Sequence, residues 1–238
     1  MHIYDQISCK LNLLFLPIIK GLRGSCLIIP CSFEFKSTMP SNTMVKWYEY
    51  SSTTFPLVYA QDGQNVIGKF WGKTELNGSA SEGKCSLKIY PLLMEHNRER
   101  LYPWMDQKPV ETFHSVNHRD SCVELEVTEQ AEKPKLSITG VPRVGEQITV
   151  SCSIYHTCPW SPPTLKMGAA QQTDRTEHVP KQDGFWETTK HHTFKIKEDD
   201  QSITCKATFS GEQTSEAKID LNAQCNNGNA CLPDNQHI

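Results

Sequence analysis

The ten cysteines are the residues of this chain with the most chemistry to offer. Their thiolates can hold zinc, or the thiols can oxidise to disulfides, and spacing separates the two. A tetrahedral zinc site draws on close ligand pairs such as C-x-x-C, and the sequence contains none. The nearest pairs are Cys26 with Cys31, Cys152 with Cys158, and Cys225 with Cys231. His156 lies near Cys158, but no second cysteine–histidine cluster completes a site. A reducing cytosol rarely keeps so many structural thiols. The expectation is disulfides in an extracellular setting, with no metal and no cofactor.

Other reactive side chains carry less. His191 and His192 are adjacent in a strand-like run. Neighbours on a strand point to opposite faces, so they do not easily share a metal and are expected at the surface. Asp199 and Asp200 sit in a turn, where aspartate commonly caps. No G-x-S-x-G nucleophile motif and no glycine-rich phosphate loop occurs. No catalytic constellation survives, so no enzyme is expected. The 24 basic and 27 acidic residues nearly balance, which gives no bulk basic surface for nucleic acid.

The elements that must position these residues are short strands. A chain of 238 residues accommodates two domains of ordinary size. Strand-like runs recur about every ten residues between turn residues, the rhythm of an all-β sandwich. Cys26–Phe33, Val45–Tyr50, Leu57–Ala60, Lys69–Leu76, Cys85–Tyr90 and Cys122–Val127 form a first series. Met94–Leu101 has local helical character but is short, and reads as a turn entering a strand. Glu129–Lys135 is charged, contains Pro134 and reads as a linker. Leu136–Ile138, Gln147–Ile154, Thr188–Lys197, Ser202–Phe209 and Thr214–Leu221 form a second series. The expected domains are 12–128 and 135–222, with 223–238 as a tail or stalk.

Each half holds an early and a late strand cysteine. Cys31 with Cys85, and Cys152 with Cys205, are suitably spaced to pin one sandwich each, a gain of roughly 2–4 kcal/mol. Leu11–Ile19 is apolar and reads as a signal h-region or as a first strand. No later run has the length to cross a bilayer. The chain is thus expected to be secreted, or an ectodomain with its anchor outside this sequence, and not itself inserted in a membrane. The sequon Asn77-Gly78-Ser79 makes Asn77 a candidate glycosylation site.

Gly24-Ser25-Cys26 followed by Ile29-Pro30-Cys31, together with Trp47 in Val45-Lys46-Trp47-Tyr48 and Cys85 in Lys84-Cys85-Ser86-Leu87, resembles the Siglec family of cell-surface lectins. The resemblance covers roughly Leu13 to Leu221. It implies two tandem immunoglobulin-like β-sandwiches, variable-type then constant-type. It also implies an unusual bond within one sheet, from the B-strand Cys31 to the E-strand Cys85. A second unusual bond, Cys26–Cys158, would join the two domains, and Cys152–Cys205 would pin the second. In the second domain Leu165-Lys166-Met167 stands where a tryptophan is usual, with Met167 as core filler. Trp186 would pack near the bridge, or be a half-exposed loop aromatic.

Siglecs bind sialic acid through one F-strand arginine whose guanidinium forks onto the sugar carboxylate. Counted from Cys85 without gaps, that position falls on Pro103. The segment before it, Asp-x-Gly-x-Tyr in the family, reads His96-Asn97-Arg98-Glu99-Arg100 here. Arg98 or Arg100 reaches the cleft if the strand register shifts, and a one-residue slip reverses a side chain's face. Trp104 and Phe113 are the candidate aromatic contacts. The implied partners are cell-surface glycans or glycoproteins, and the competing reading is an immune-type receptor for a protein or lipid. Cys225 with Cys231 closes a small loop or pairs between chains. Cys9 and Cys122 remain, as a pair or as a free or intermolecular thiol.

Overall fold

The computed structural model describes residues 10–12, 18–34, 44–51, 53–106, 122–168 and 174–224. The chain divides into two units, Met1–Glu129 and Gln130–Ile238.

The described strands of the first unit are β1 (Lys10–Asn12), β2 (Ile18–Leu22), β3 (Leu27–Ile29), β4 (Ser32–Glu34), β5 (Met44–Glu49), β6 (Leu57–Tyr59), β7 (Thr74–Asn77), β8 (Ser86–Ile89), β9 (Arg100–Asp106) and β10 (Val123–Thr128). A five-stranded sheet runs β2-β10-β9-β5-β6, with β2 parallel to β10 and the other pairings antiparallel. A three-stranded sheet runs β3-β8-β7, and β1 pairs with β4. Period-2 alternation explains the faces. In β10, Val123, Leu125 and Val127 are buried while Glu124 and Glu126 stand outward. The core gathers Trp47, Phe70, Leu27, Leu87, Ile89, Leu92, Leu101 and Leu125. Gly21 lies on the core side of β2, where a Cβ would meet Leu92 Cδ2 at 2.5 Å, so any larger residue would force Leu92 to shift.

One expected strand is shorter than its sequence run. Of Lys69–Leu76 only the part from Thr74 is strand. Lys69–Lys73 closes into helical turns, with Phe70 N–H to Ile67 O at 2.9 Å and Lys73 N–H to Phe70 O at 3.0 Å. The turn drops Phe70 into the core and carries Lys69 Nζ to Glu49 (2.6 Å) and Glu99 (2.5 Å). Met94–His96 is a single 3-10 turn that leads into β9.

The second unit has β11 (Lys135–Thr139), β12 (Gln147–His156), β13 (Thr164–Met167), β14 (Arg175–Pro180), β15 (Trp186–Lys195), β16 (Ser202–Thr208) and β17 (Thr214–Asp220). Its sheets are β11-β12-β15-β14 and β13-β16-β17. Four strands on three is the constant-type immunoglobulin arrangement, as the parallel first-to-last pairing and five-on-three sheets are for the variable type. The fold is all-β, two immunoglobulin-like sandwiches in tandem.

The two described disulfides occupy different places. Cys31 and Cys85 flank the neighbouring strands β3 and β8, with Cα atoms 4.9 Å apart and Cys85 N–H bonded to Cys31 O at 3.0 Å. That bond lies within one sheet. Cys152 on β12 and Cys205 on β16 join the two sheets of the second unit, Cα to Cα 6.4 Å. Met167 is buried opposite Cys205, and Trp186 pairs with His156, four residues along β15 from the level of the bridge.

The histidine pair of β15 does split between the two faces, but one member is not at the surface. His192 is buried, with Nδ1 2.7 Å from Asp174 and its ring stacked on Phe194. It shares the inward row of β15 because its partner is Val150, on the same face of β12 as Cys152. His191 faces the other way, 2.8 Å from Ser151 Oγ.

Candidate functional site

The outward face of the five-stranded sheet collects two of the described sequence-predicted contacts, Arg100 and Trp104. Residues directly opposite on paired strands share a face. Pro103 lies opposite Trp47, which is fully buried in the core. Leu101, two residues earlier, belongs to that core as well. Arg100, Tyr102 and Trp104 therefore form the outward row of β9; Tyr102 and Trp104 face Tyr48 and Lys46 on β5, and Arg100 meets Tyr50 just past its end. The gapless count thus lands on an inward residue, while the only guanidinium on the outward row of β9 belongs to Arg100.

Arg100 lies with its guanidinium carbon 4.8 Å from the Tyr50 ring centroid, inside cation–π range. Tyr50 N–H bonds to Arg100 O at 2.7 Å, which fixes both backbones. Glu124 is the cross-strand neighbour of Arg100 on β10. Among the described residues no carboxylate comes within ion-pair distance of Arg100. Glu126 is turned instead to Lys20, 3.0 Å away. Beside this arginine Tyr48 and Tyr102 stack at 5.8 Å, both buried. Burial pushes the Tyr102 hydroxyl up to about 12, so it stays a neutral donor. Cys122 stands half-buried just before β10, its thiol pushed up by burial against the lowering pull of Arg100.

Arg98 is elsewhere. It occupies the left-handed region (φ 67°) in the turn before β9, its N–H bonded to Leu125 O at 2.7 Å. It lies outside β9 and is exposed. The turn is organised by His96, whose ring is buried and stacked 4.6 Å from Phe70. Leu93 N–H donates to its Nδ1 (3.1 Å), so its proton is on Nε2 and donates to Lys69 O (2.8 Å). Burial holds this histidine below its ordinary value, against the hydrogen bond to Lys69 O and the charge of Glu95.

Asn77 ends β7, the outer strand of the three-stranded sheet, and is partly exposed opposite Ser86. Cys26 and Cys158 are buried, and each is disulfide-bonded. Phe113, Cys9, Cys225 and Cys231 lie outside the described residues. The sequence reading missed Tyr48 and Tyr50 as parts of the arginine's setting. The available signal was the alternation in Val45–Tyr50, which puts Tyr48 and Tyr50 on the face opposite Trp47. Among the described residues no helix is long and apolar enough to cross a membrane.

No family model matches the chain. Among solved structures it is similar to bovine butyrophilin, at 12% identity over 85% of this chain and 93% of that one, with a TM-score of 0.35. It is also similar to the full ectodomain (Ig1–Ig3) of mouse nectin-like molecule 4, at 12% identity over 88% of this chain and 67% of that one, with a TM-score of 0.38.

Proposed function

We propose that the chain is the recognition ectodomain of a secreted or cell-surface protein that resembles Siglecs and binds carboxylate-bearing, sialylated glycans through the outward face of its first domain. Arg100 carries the reading. Its guanidinium is laid on an aromatic ring, and no described carboxylate takes up its charge. A planar fork held in this way is suited to bidentate capture of a carboxylate. The disulfide within one sheet, Cys31 with Cys85, supports the family likeness. Trp104, on the same row, and Phe113 complete the proposed contact.

The wider frame belongs to the same proposal. Domains 12–128 and 135–222 are joined by a Cys26–Cys158 bond, and 223–238 forms a stalk in which Cys225 pairs with Cys231. Asn77 carries an N-linked glycan on the sheet away from the binding face. Partners are glycans or glycoproteins, and neither catalysis nor nucleic-acid binding is proposed.

A second reading, a receptor for a protein or lipid, draws on Trp104, a partly exposed aromatic on the same row that needs no charge. A sialylated glycan array separates the two. Arg100→Ala should weaken a bound sialoside by about 10–100-fold, the worth of a charge-assisted contact. Sialidase treatment should abolish it. Binding indifferent to both treatments, or no binding at all, sinks the lectin reading and favours the second.

A further inference from the structure

Strand β14 (Arg175–Pro180) closes one side of the four-stranded sheet of the second unit, and β15 is its one partner among the described strands. An edge strand turns half of its backbone N–H and C=O groups away from its neighbour, where another strand can pair with them. The register says which residues do so. Lys181 N–H donates to Phe185 O at 2.8 Å, and this pair continues the register of Pro180 opposite Trp186. It is therefore a hydrogen-bonded pair, and such pairs alternate along an antiparallel ladder. Arg175, Glu177 and Val179 turn their backbone groups to β15, and Thr176, His178 and Pro180 turn theirs outward. Two observations agree with this parity. Pro180, which has no N–H, stands at an outward position, where an edge strand tolerates proline. His178 and Thr188 form a non-hydrogen-bonded pair, in which side chains approach more closely, and they touch at 2.9 Å.

The charges along this edge complement themselves. Arg175 and Glu177 flank Thr176 on one face of the strand, and Arg175 reaches Glu177 of its own chain at 2.8 Å. A second β14 laid antiparallel about a two-fold axis at Thr176 sets Arg175 of each copy opposite Glu177 of the other. The four side chains then form a ring of alternating sign. Opposite charges directly across a ladder attract and like charges repel.

No other alignment of this edge on itself does as well. Outward backbone groups must meet outward ones, so the axis passes through a residue. At Arg175 or at Glu177 it sets like charges against each other. At His178 it sets Arg175 against Lys181 and gives Thr176 a proline partner. Only the Thr176 axis satisfies backbone and charge together.

We propose that β14 is a homodimerisation edge, at which a second copy of this chain adds an antiparallel strand about Thr176 and joins two four-stranded sheets into one. Thr176 exchanges its backbone bonds with Thr176 of the second copy, and the outward groups of His178 meet the backbone of Asp174. The Asp174 carboxylate stays with Lys190 and His192. The contact is isologous, the same patch on both copies, so it closes at two. It is also small, which places its Kd at about 10–100 µM, the order of a weak association. The pairing does not depend on what the first domain binds. A dimer carries two copies of any site on the chain, which raises avidity for a multivalent surface.

Sedimentation velocity of the full chain tests it. Over about 1–300 µM, a span that brackets that affinity, the mass should rise from one 27.0 kDa chain toward two. At the top concentration the amides of Thr176 and His178 should gain about fivefold protection from hydrogen exchange, while those of Arg175 and Glu177, bonded to β15 throughout, hold. Arg175→Glu and Glu177→Arg should each weaken the dimer at least about tenfold, because each gathers four like charges at the axis. An equimolar mixture of the two variants should recover it, since every acid then faces a base, and misfolded variants cannot produce that recovery. A wild-type mass that stays at one chain overturns the proposal and leaves the edge to a foreign strand or to none. So does a dimer that Arg175→Glu leaves intact, a dimer that persists in SDS without reductant, or a variant mixture that stays monomeric.

Discussion

The two units of this chain each close a disulfide over almost the same sequence separation, 54 residues in the first and 53 in the second. Yet one bond staples neighbouring strands of a single sheet and the other spans the core. The described bond of the first unit, Cys31 with Cys85, does not pin its two sheets together. Trp47 does this instead: it is fully buried, and its indole N–H bonds across the sandwich to Cys85 O at 2.9 Å. The second unit has Met167 at the corresponding core position beside Cys205 and relies on the bond. Similar spacing therefore says little about what a bridge restrains.

The largest test of that contrast is at the bonds themselves. Loop-closure entropy depends on loop length alone and gives roughly 4 kcal/mol for both. The native state should separate them. Replacing Cys152 and Cys205 by alanine adds a void beside Met167 to that term and should cost about 5–6 kcal/mol. Replacing Cys31 and Cys85 should cost about 4 kcal/mol, the loop-closure term alone, because the tryptophan still spans the sheets. Equal losses in the two melts would place the whole effect in the unfolded chain.

The packing residues come next. Trp47→Ala should cost the first unit about 3–5 kcal/mol, and Met167→Ala the second about 2–4 kcal/mol. Unit-resolved hydrogen exchange under denaturant reads each separately. If the two costs are equal, the tryptophan is not the substitute for a pin.

The smallest test uses pH. His156 is depressed in the folded state, so its contribution is complete above the unfolded value near 6.5 and is lost as pH falls toward its folded value of about 4. The full loss is about 3 kcal/mol, of which about 1 kcal/mol has gone by pH 5.5. His96 shifts in the same direction, so acid weakens both units. Titrating stability from pH 7.5 to 5.5 with His156→Gln should remove the second unit's slope and leave the first unit's unchanged.

Much of the fold was legible in the residues. Alternation in Cys122–Val127 and Gln147–Ile154 marks strands whose inward positions are the buried ones. The site was less legible. A gapless count puts Pro103 where an arginine belongs, and the pairing with Trp47 shows that this position faces the core. Lys69–Lys73 has a strand-like composition, but burying Phe70 and pairing Lys69 with two glutamates favour a turn. His192 looks like a surface residue until its partner strand turns it inward.

By itself the sequence determined the all-β class, the presence of two strand series and the chemistry open to ten cysteines. Those follow from local rules, since side-chain period and thiol chemistry need no partner strand. Only the tertiary structure decided which sheet each cysteine joins, which face Arg100 occupies, and which histidines lose their water. Each of these depends on register between strands distant in sequence, and a period of two cannot say which of its faces is the core.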